Sequence, residues 1–425
     1  MPANERTPLV GNNDSNDNGL PMHRPQSYPS GNSILNPPEG HPNTLSSFWW
    51  LLTNSWLNLL LVFVPMGIVA EKLHWPAVWI FSLNFLAIIP LAKLLGDATE
   101  QSALKLGPTL GGLLNATFGN AVELIVGIVA LIQGQLRIVQ QSLIGSILSN
   151  LLLVLGMSFV CGGIHHAEST FQQTAAQASA SIMMLSVVAV ALPAAYQGGI
   201  RMNALFGPDA GSERALALLK EDPAEHGIIF ISRGTSVVLV LVYCLYLVFQ
   251  LRTHSFLYDA EEDQEEEPEI PEMTPPAAVA ALALITVITS FSADYLVGAI
   301  DETAQEYSIP KAFISTILLP VVGNAAEHVT SCVMAYKGKM EIAIGVSVGS
   351  SIQIAMGLLP TLVIIGWAIG QPLTLYFQTF EVVISVSAVV LINSLLQDGR
   401  SNYMEGAMLL ALYAVAALSF WVAPS

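Results

Sequence analysis

From residue 48 onward the chain is a succession of long apolar runs, and a chain written that way has few places to fold. A hydrocarbon core about 30 Å thick needs about 20 apolar residues for each helical crossing. Eleven runs of that kind are present, at 48–70, 76–95, 108–133, 138–162, 174–196, 230–252, 277–300, 310–336, 340–369, 376–397 and 403–422. The alternation over roughly ten residues that marks a membrane barrel is absent. Composition agrees: 53% of residues are hydrophobic and 11% are charged, against about 25% charged in a soluble domain. The expected class is an all-α polytopic membrane protein with eleven transmembrane helices, and its expected partner is the lipid bilayer. Lys and Arg number 15 against 32 Asp and Glu, the wrong balance for a nucleic-acid binder.

The remaining segments divide the chain. Residues 1–46 are rich in Asn, Pro, Ser and Gly without an apolar period, which predicts a disordered cytosolic tail. No basic n-region or short apolar h-region opens the chain, so no cleaved signal peptide is expected. A first helix over 47–71 follows, then a five-helix unit over 76–252, with a short amphipathic piece near 97–106. Residues 197–229 read as a loop with one short helix at 212–221. A linker over 253–276 carries nine acidic residues within one short stretch, and a second five-helix unit spans 277–422. Cys161, Cys244 and Cys332 lie inside apolar runs, an odd count with neither disulfide nor zinc spacing.

The two five-helix units repeat each other at an offset of 204 residues. Gly119-Asn120-Ala121-Val122-Glu123 recurs as Gly323-Asn324-Ala325-Ala326-Glu327, Gly145-Ser146 as Gly349-Ser350, and Asp97 with Thr99 as Asp301 with Thr303. Five is an odd number of crossings, so the second unit must enter the membrane from the opposite face. The expected architecture is one extra N-terminal helix plus two inverted five-helix repeats, an arrangement typical of secondary transporters. With the N-terminus in the cytosol, eight Lys and Arg fall on that side and seven on the other. The positive-inside rule therefore does not choose between orientations, as expected of two opposed halves.

Glu123 and Glu327 sit in the middle of apolar runs. A carboxylate there costs several kcal/mol unless it is paired, hydrated or bound to a cation. The Gly-Asn just upstream favours a kinked or interrupted helix. An interruption frees carbonyls, which with carboxylates and amides are the hard oxygen ligands that calcium takes. Asn120 with Glu123, and Asn324 with Glu327, are three apart and would share a helix face, so these four are the expected metal-ion ligands, an amide oxygen and a carboxylate from each motif. Ser146, Ser350 and Gln353 are expected to line the same pathway. Ser149, Asn150 and Ser351 either line it or serve helix packing. His328 either pairs with Glu327 and shuttles protons or bonds a neighbouring helix. Asp97, Glu100, Asp301 and Glu302 lie at span ends, where they cap, face water or serve ion entrance; Asp294 either lines a cavity or pairs with a neighbour.

Two carboxylates facing each other in a dry site are costly when both are charged, so without a cation they take up protons. A divalent cation favours the ionised pair and expels those protons. Competition of this kind, with alternating access, makes an antiporter. One pH unit supplies about 1.4 kcal/mol per proton, and a thousandfold cation gradient requires about 4.1 kcal/mol. Two or three protons moving down one or two pH units are enough.

The motifs GNAVELIVG (119–127) and GNAAEHVTS (323–331) resemble the paired signatures of the cation/proton exchanger family, within the calcium/cation antiporter superfamily. The runs NFLAIIPLAKLL (84–95), LIGSILSNLLLVLG (143–156) and the stretch 323–353 are similar to its fungal vacuolar branch. The resemblance spans about residues 50–422. It implies eleven crossings, a cytosolic N-terminus, a luminal C-terminus and a cytosolic acidic helix between the sixth and seventh. It also implies Glu123 and Glu327 as shared calcium and proton sites, with Asn120, Asn324, Ser146, Ser350, Gln353 and His328 along the pathway. Members move calcium, and sometimes manganese, into the acidic vacuole. Vacuolar localisation rests mainly on this resemblance. No cofactor and no enzymatic activity are expected; Ca2+ and H+ are the transported ions.

The acidic residues Glu261, Glu262, Asp263, Glu265, Glu266 and Glu267 read as a solvated run that either concentrates cations at an entrance or binds calcium weakly to regulate transport. Three other functions fit part of the sequence: a sodium-driven calcium exchanger, a calcium-permeable channel, and a non-transporting sensor built on the acidic stretch.

Overall fold

The structure, a computed structural model, describes residues 43–104, 106–206, 224–257 and 271–422. The helices, in chain order, are α1 (Thr44–Thr53), α2 (Trp56–Lys72, opening in 3-10 turns), α3 (Ala77–Ala103), α4 (Gly107–Phe118), α5 (Ala121–Ile132), α6 (Leu136–Gly163), α7 (Gln173–Phe206) and α8 (Ala224–Val248, continued by a π turn over Phe249–Thr253). After the acidic linker come α9 (Pro275–Gly298), α10 (Ile300–Tyr307), α11 (Lys311–Gly323), α12 (Ala325–Tyr336), α13 (Met340–Ile369), α14 (Thr379–Leu395) and α15 (Tyr403–Val422). Two-residue strands, β1 (Ser169–Thr170) and β2 (Arg400–Ser401), pair antiparallel and tie two loops together.

Among the described residues, seven helices, counting α9 with α10, are long and apolar enough to cross a membrane alone. Three bent pairs, α1 with α2, α4 with α5, and α11 with α12, pass the same test together, and α14 is a further apolar helix of 17 residues. Large apolar side chains such as Leu185, Val188, Leu192, Phe230, Leu241 and Leu245 point outward from α7 and α8. Polar Ser146, Asn150, Ser347 and Ser351 are buried in α6 and α13. Apolar outside and polar inside suits a lipid solvent, because water is not there to satisfy polar groups.

The repeat is visible in the element bounds. α5 and α12 are each 12 residues and begin 204 residues apart, as do the first stretches of α6 and α13, Leu136–Leu148 and Met340–Ile352. Both of these stretches run into π turns, Ser149–Val154 and Gln353–Leu358. The turns that follow α5 and α12 use Gly134 at φ +73° and Gly338 at φ +81°, a left-handed conformation in which a Cβ would be strained. α3 and α9 pack along each other, and α6 and α13 run through the buried middle.

Four sequence expectations need correction. The loop over 197–229 is shorter than expected, because α7 runs on to Phe206 and α8 begins at Ala224. The run 47–71 is not one helix, because α1 and α2 meet at 93°. The polar residues at that corner explain it: Asn58 donates to the Leu51 carbonyl at 2.9 Å and Asn54 to Asp97 at 2.8 Å. The corner thereby finds partners outside a continuous helix. The amphipathic piece near 97–106 is not separate either, since α3 runs unbroken to Ala103. Finally, helix begins inside the stretch assigned to the tail, where Asn43 caps α1 and accepts from the Thr44 amide at 2.8 Å. The rest of the tail, the short helix at 212–221 and the residues 258–270 lie outside the described residues.

Candidate functional site

The site forms where two helices break. α4 and α5 meet at 48°, α11 and α12 at 55°, and the hinge positions are Asn120 and Asn324. Each break puts a carboxylate in the first turn of the following half-helix: Glu123 in α5 and Glu327 in α12. A helix N-terminus carries partial positive charge, which favours an anion at that place. Glu123 is 7% exposed. Glu327 is half-buried, with its Oε2 shielded. The two carboxylates are close enough to interact electrostatically.

The hinge asparagines do not cap their own helices. Asn120 Nδ2 donates to Gln353 Oε1 at 2.6 Å, and the Ser350 hydroxyl donates to Asn120 Oδ1 at 2.7 Å. Asn150 Nδ2 donates to the Ser350 hydroxyl at 3.0 Å, and Asn324 Nδ2 donates to Asn150 Oδ1 at 3.1 Å and to the Ser146 carbonyl at 3.4 Å. The chain Gln353–Asn120–Ser350–Asn150–Asn324 thus crosses between the halves at every step. Asn324 ends it with a backbone contact, its carbonyl lying 2.5 Å from His328 Nδ1. A carbonyl only accepts, so Nδ1 carries a proton, and in the neutral ring Nε2 then keeps its lone pair.

Several oxygens in this chamber have no protein partner. Glu123 Oε1, Glu327 Oε2 and Asn324 Oδ1 are buried without a hydrogen bond, and so is His328 Nε2. Buried polar groups rarely stay unpaired, since each costs about 1–3 kcal/mol. A cation or a proton would satisfy these three oxygens. Among the described residues no three His, Cys, Asp or Glu side chains converge as a metal site; the donors here are carboxylates mixed with amides and hydroxyls, the set a hard cation takes.

Glu123 opens onto a small cleft of about 20 Å³, room for one water-sized occupant, lined also by Ser142, Ser146, Leu296, Pro320 and Gly323. Close approach builds it. A Cβ on Gly323 would lie 2.9 Å from Glu123 Oε1, and one on Gly145 would lie 2.2 Å from the Thr316 carbonyl. A wider cavity of about 510 Å³ opens at the end of the bundle where α12 turns into α13, and Asn115, Gln172, Gln250, Glu341 and Gly349 line it. It reaches the residue before Ser350.

The expected residues sort as follows. Asn120, Asn324, Ser350, Gln353, Asn150 and the Ser146 carbonyl form one hydrogen-bonded set, with Glu123, Glu327 and His328 on the same hinges. Asn120 and Glu123 do not share an unbroken helix face, nor do Asn324 and Glu327, because each Asn stands at the break. Ser149 is buried where the π turn of α6 packs on α15, its hydroxyl without a hydrogen-bond partner, and Ser351 donates to the Ser347 carbonyl of its own helix at 2.9 Å. Asp97 pairs with Lys93, and Asp301 with Lys311 and with Gln135 at 3.0 Å. Asp294 accepts from Gln133 at 2.8 Å and lines an end cavity with Glu302. The acidic residues 261–267 lie outside the described residues.

Sequence reading missed Ser142, one turn before Ser146 on the same face, and Thr316, whose hydroxyl is buried without a partner. Spacing from Ser146 signals the first. The second falls opposite Gly112 in the repeat, so nothing in the repeat signals it.

Comparison with known proteins gives the class and then the relatives. The sequence profile of the family described as Sodium/calcium exchanger protein matches residues 76–252 and 277–422; the chain belongs to that family, whose members are transporters. It is 49% identical over 374 residues to the vacuolar calcium ion transporter of Schizosaccharomyces pombe, covering 88% of this chain and 86% of that one. It is 41% identical over 381 residues to the Ca2+/H+ antiporter of Synechocystis sp., covering 86% and 97%. The vacuolar cation/proton exchanger 2 of Arabidopsis thaliana is 39% identical over 375 residues, covering 86% and 81%. Among solved structures, native YfkE superposes with a TM-score of 0.68 at 34% identity, covering 86% of this chain and 100% of that one. The H+/Ca2+ exchanger CAX superposes at 0.65 with 14% identity, covering 90% of each, which speaks to the fold alone.

Proposed function

We propose that the protein exchanges cytosolic Ca2+ for luminal H+ across the vacuolar membrane by alternating access. The observation that carries this reading is the pair of carboxylates at matching helix breaks, Glu123 buried and Glu327 half-buried, each with a shielded oxygen that lacks a partner. The names of the fungal, plant and bacterial relatives agree with calcium and protons as the exchanged ions.

In this reading Ca2+ is held by Glu123, Glu327 and the Asn324 amide oxygen, with Ser146 on the cleft side. Oxygen ligands from both halves close around one ion. When Ca2+ leaves, the carboxylates take up protons instead, since two bare charges in a site without water are expensive. His328, with its free Nε2, accepts a proton from Glu327 on the way out. Asn120, Asn150, Ser350 and Gln353 hold the hinges at a fixed separation. Ser149 packs. The arrangement we propose is eleven crossings, α1 with α2 as the extra N-terminal one and two inverted repeats of five, with the N-terminus cytosolic and the C-terminus luminal. The acidic residues Glu261 to Glu267 then sit on the cytosolic side, where they collect cations.

The test is uptake of labelled calcium into liposomes with an acidic interior, with and without a protonophore. Uptake that vanishes when the pH gradient collapses supports proton exchange. Uptake that survives and requires internal sodium moves the protein to the sodium-driven branch of its family. Uptake needing neither gradient, with a measurable current, makes it a channel.

A further inference from the structure

Gly145 and Gly349 stand at matching places in the two repeats, 204 residues apart, and they meet opposite surroundings. A Cβ on Gly145 would lie 2.2 Å from the Thr316 carbonyl and 2.6 Å from Pro320, so α6 is pressed against α11 there. A Cβ on Gly349 would meet nothing within 4 Å, and Gly349 lines the wide cavity. The two glycines sit toward opposite ends of the bundle. Gly162, late in α6, approaches Met340, the first residue of α13, and Gly366, late in α13, approaches Leu131, just before the turn into α6. α6 and α13 therefore run antiparallel, and the first stretch of each starts from a different end. A glycine inside a helix is less stable than alanine. Close approach accounts for Gly145. Nothing in this arrangement accounts for Gly349.

We propose that Gly349 is the seat on which α4 closes when access passes to the other end of the bundle, as α11 closes on Gly145 now. α4 already forms part of the cavity wall through Asn115. The counterparts of Thr316 and Pro320 on α4 are Gly112 and Ala116, small residues of the kind that let one membrane helix come close to another. The 48° break at Asn120 is the hinge, since a few residues at the end of an element absorb such a motion. In the present arrangement α4 rests elsewhere: a Cβ on Gly112 would lie 2.5 Å from the Leu251 side chain. Gly345, one turn before Gly349, also faces open space, but its counterpart is Gln141, a large buried residue. The closed face thus has room for a side chain at that place and none at Gly349. Gly349 is a positioning residue that acts through packing, and its role rests on the alternating-access reading above.

The full chain in liposomes tests this, with Gly349→Ala beside Gly345→Ala. Uptake is measured against calcium concentration, and thermal unfolding is followed in detergent. In a second series Asn115→Cys, in a background carrying Cys161→Ser, Cys244→Ser and Cys332→Ser, reports from the cavity wall by its labelling rate with a membrane-impermeant maleimide. For Gly349→Ala the expected maximal uptake rate is about tenfold lower, because one arrangement is overpacked and the other is not. KM does not rise, Tm does not fall, and labelling is several-fold faster because the cavity no longer closes. Gly345→Ala transports like the unaltered chain. Uptake by Gly349→Ala at the unaltered rate would overturn the proposal. So would a loss of uptake that comes with a lower Tm, with unchanged labelling, or equally in Gly345→Ala. If the unaltered chain takes up no calcium under a pH gradient, the transport reading fails, and the labelling rates alone decide whether the cavity closes on Gly349.

Discussion

Asn120 Nδ2 donates to Gln353 Oε1 at 2.6 Å across the two halves, yet the repeat has no matching bond. The position equivalent to Gln353 is Ser149, and Asn324, the equivalent of Asn120, bonds Asn150 instead. The polar partner has moved by one residue between halves. Each half lends the other a hinge support of a different shape, so the two Glu sites are related by the repeat without being chemically identical.

Replacing either carboxylate by its amide removes the charge and keeps the size. Glu123→Gln and Glu327→Gln are each expected to abolish pH-driven calcium uptake while the protein still folds, because loss of a buried unpaired charge is not destabilising. Uptake assays paired with thermal unfolding in detergent check both halves of this statement.

Two glycine substitutions should separate function from stability. In Gly323→Ala the new Cβ meets Glu123 Oε1 at 2.9 Å, the far end of a movable side chain. The carboxylate shifts, so the KM for calcium rises with little change in Tm. In Gly145→Ala the Cβ meets the Thr316 carbonyl at 2.2 Å and Pro320 at 2.6 Å. Backbone cannot step aside, and overpacking of this kind costs about 1–3 kcal/mol, which a melting curve would register.

The asparagine supports should behave as a coupled unit. Asn120→Ala strands Gln353 Oε1 and takes the acceptor from the Ser350 hydroxyl, which keeps Asn150 as its donor, at about 1–3 kcal/mol for a group left unpaired. Gln353→Ala added to it should cost less than the sum, with a coupling of about 0.5–3 kcal/mol. A double-mutant cycle on unfolding free energy measures it; additive effects would mean the bond carries no weight.

Away from the chamber, Glu381 at the start of α14 is 1% exposed and pairs with Arg137 at the start of α6. Arg137→Met leaves that carboxylate buried and unpaired, with an expected loss of about 3 kcal/mol, and Glu381→Met on top should restore most of it. Unfolding midpoints of the single and double variants decide the matter.

Much of this was readable in the residues. Apolar runs of bilayer length announce membrane helices because lipid offers no partner to an exposed backbone. The offset of 204 between Gly119-Asn120 and Gly323-Asn324 announced two matching breaks, and the structure places a bend at both. The carboxylates, Ser350 and Gln353 were legible for the same reason, since a polar group kept in an apolar run at matching positions invites a role. The corner at Asn54 was not legible. Its bend depends on Asp97, 43 residues away, and no local pattern encodes a partner that distant.

The chain by itself determined which residues are polar in the membrane and where its helices must break, because burial cost and glycine geometry act locally. Tertiary structure alone decided which of those residues face one another. Asn120 reaches Gln353 across 233 positions of chain and Asn324 reaches Asn150 across 174. Ser149, next to Asn150, packs toward α15 at the π turn that begins there. Adding one residue to a helical turn rotates everything after it, and which side chains then meet is settled by how the halves pack.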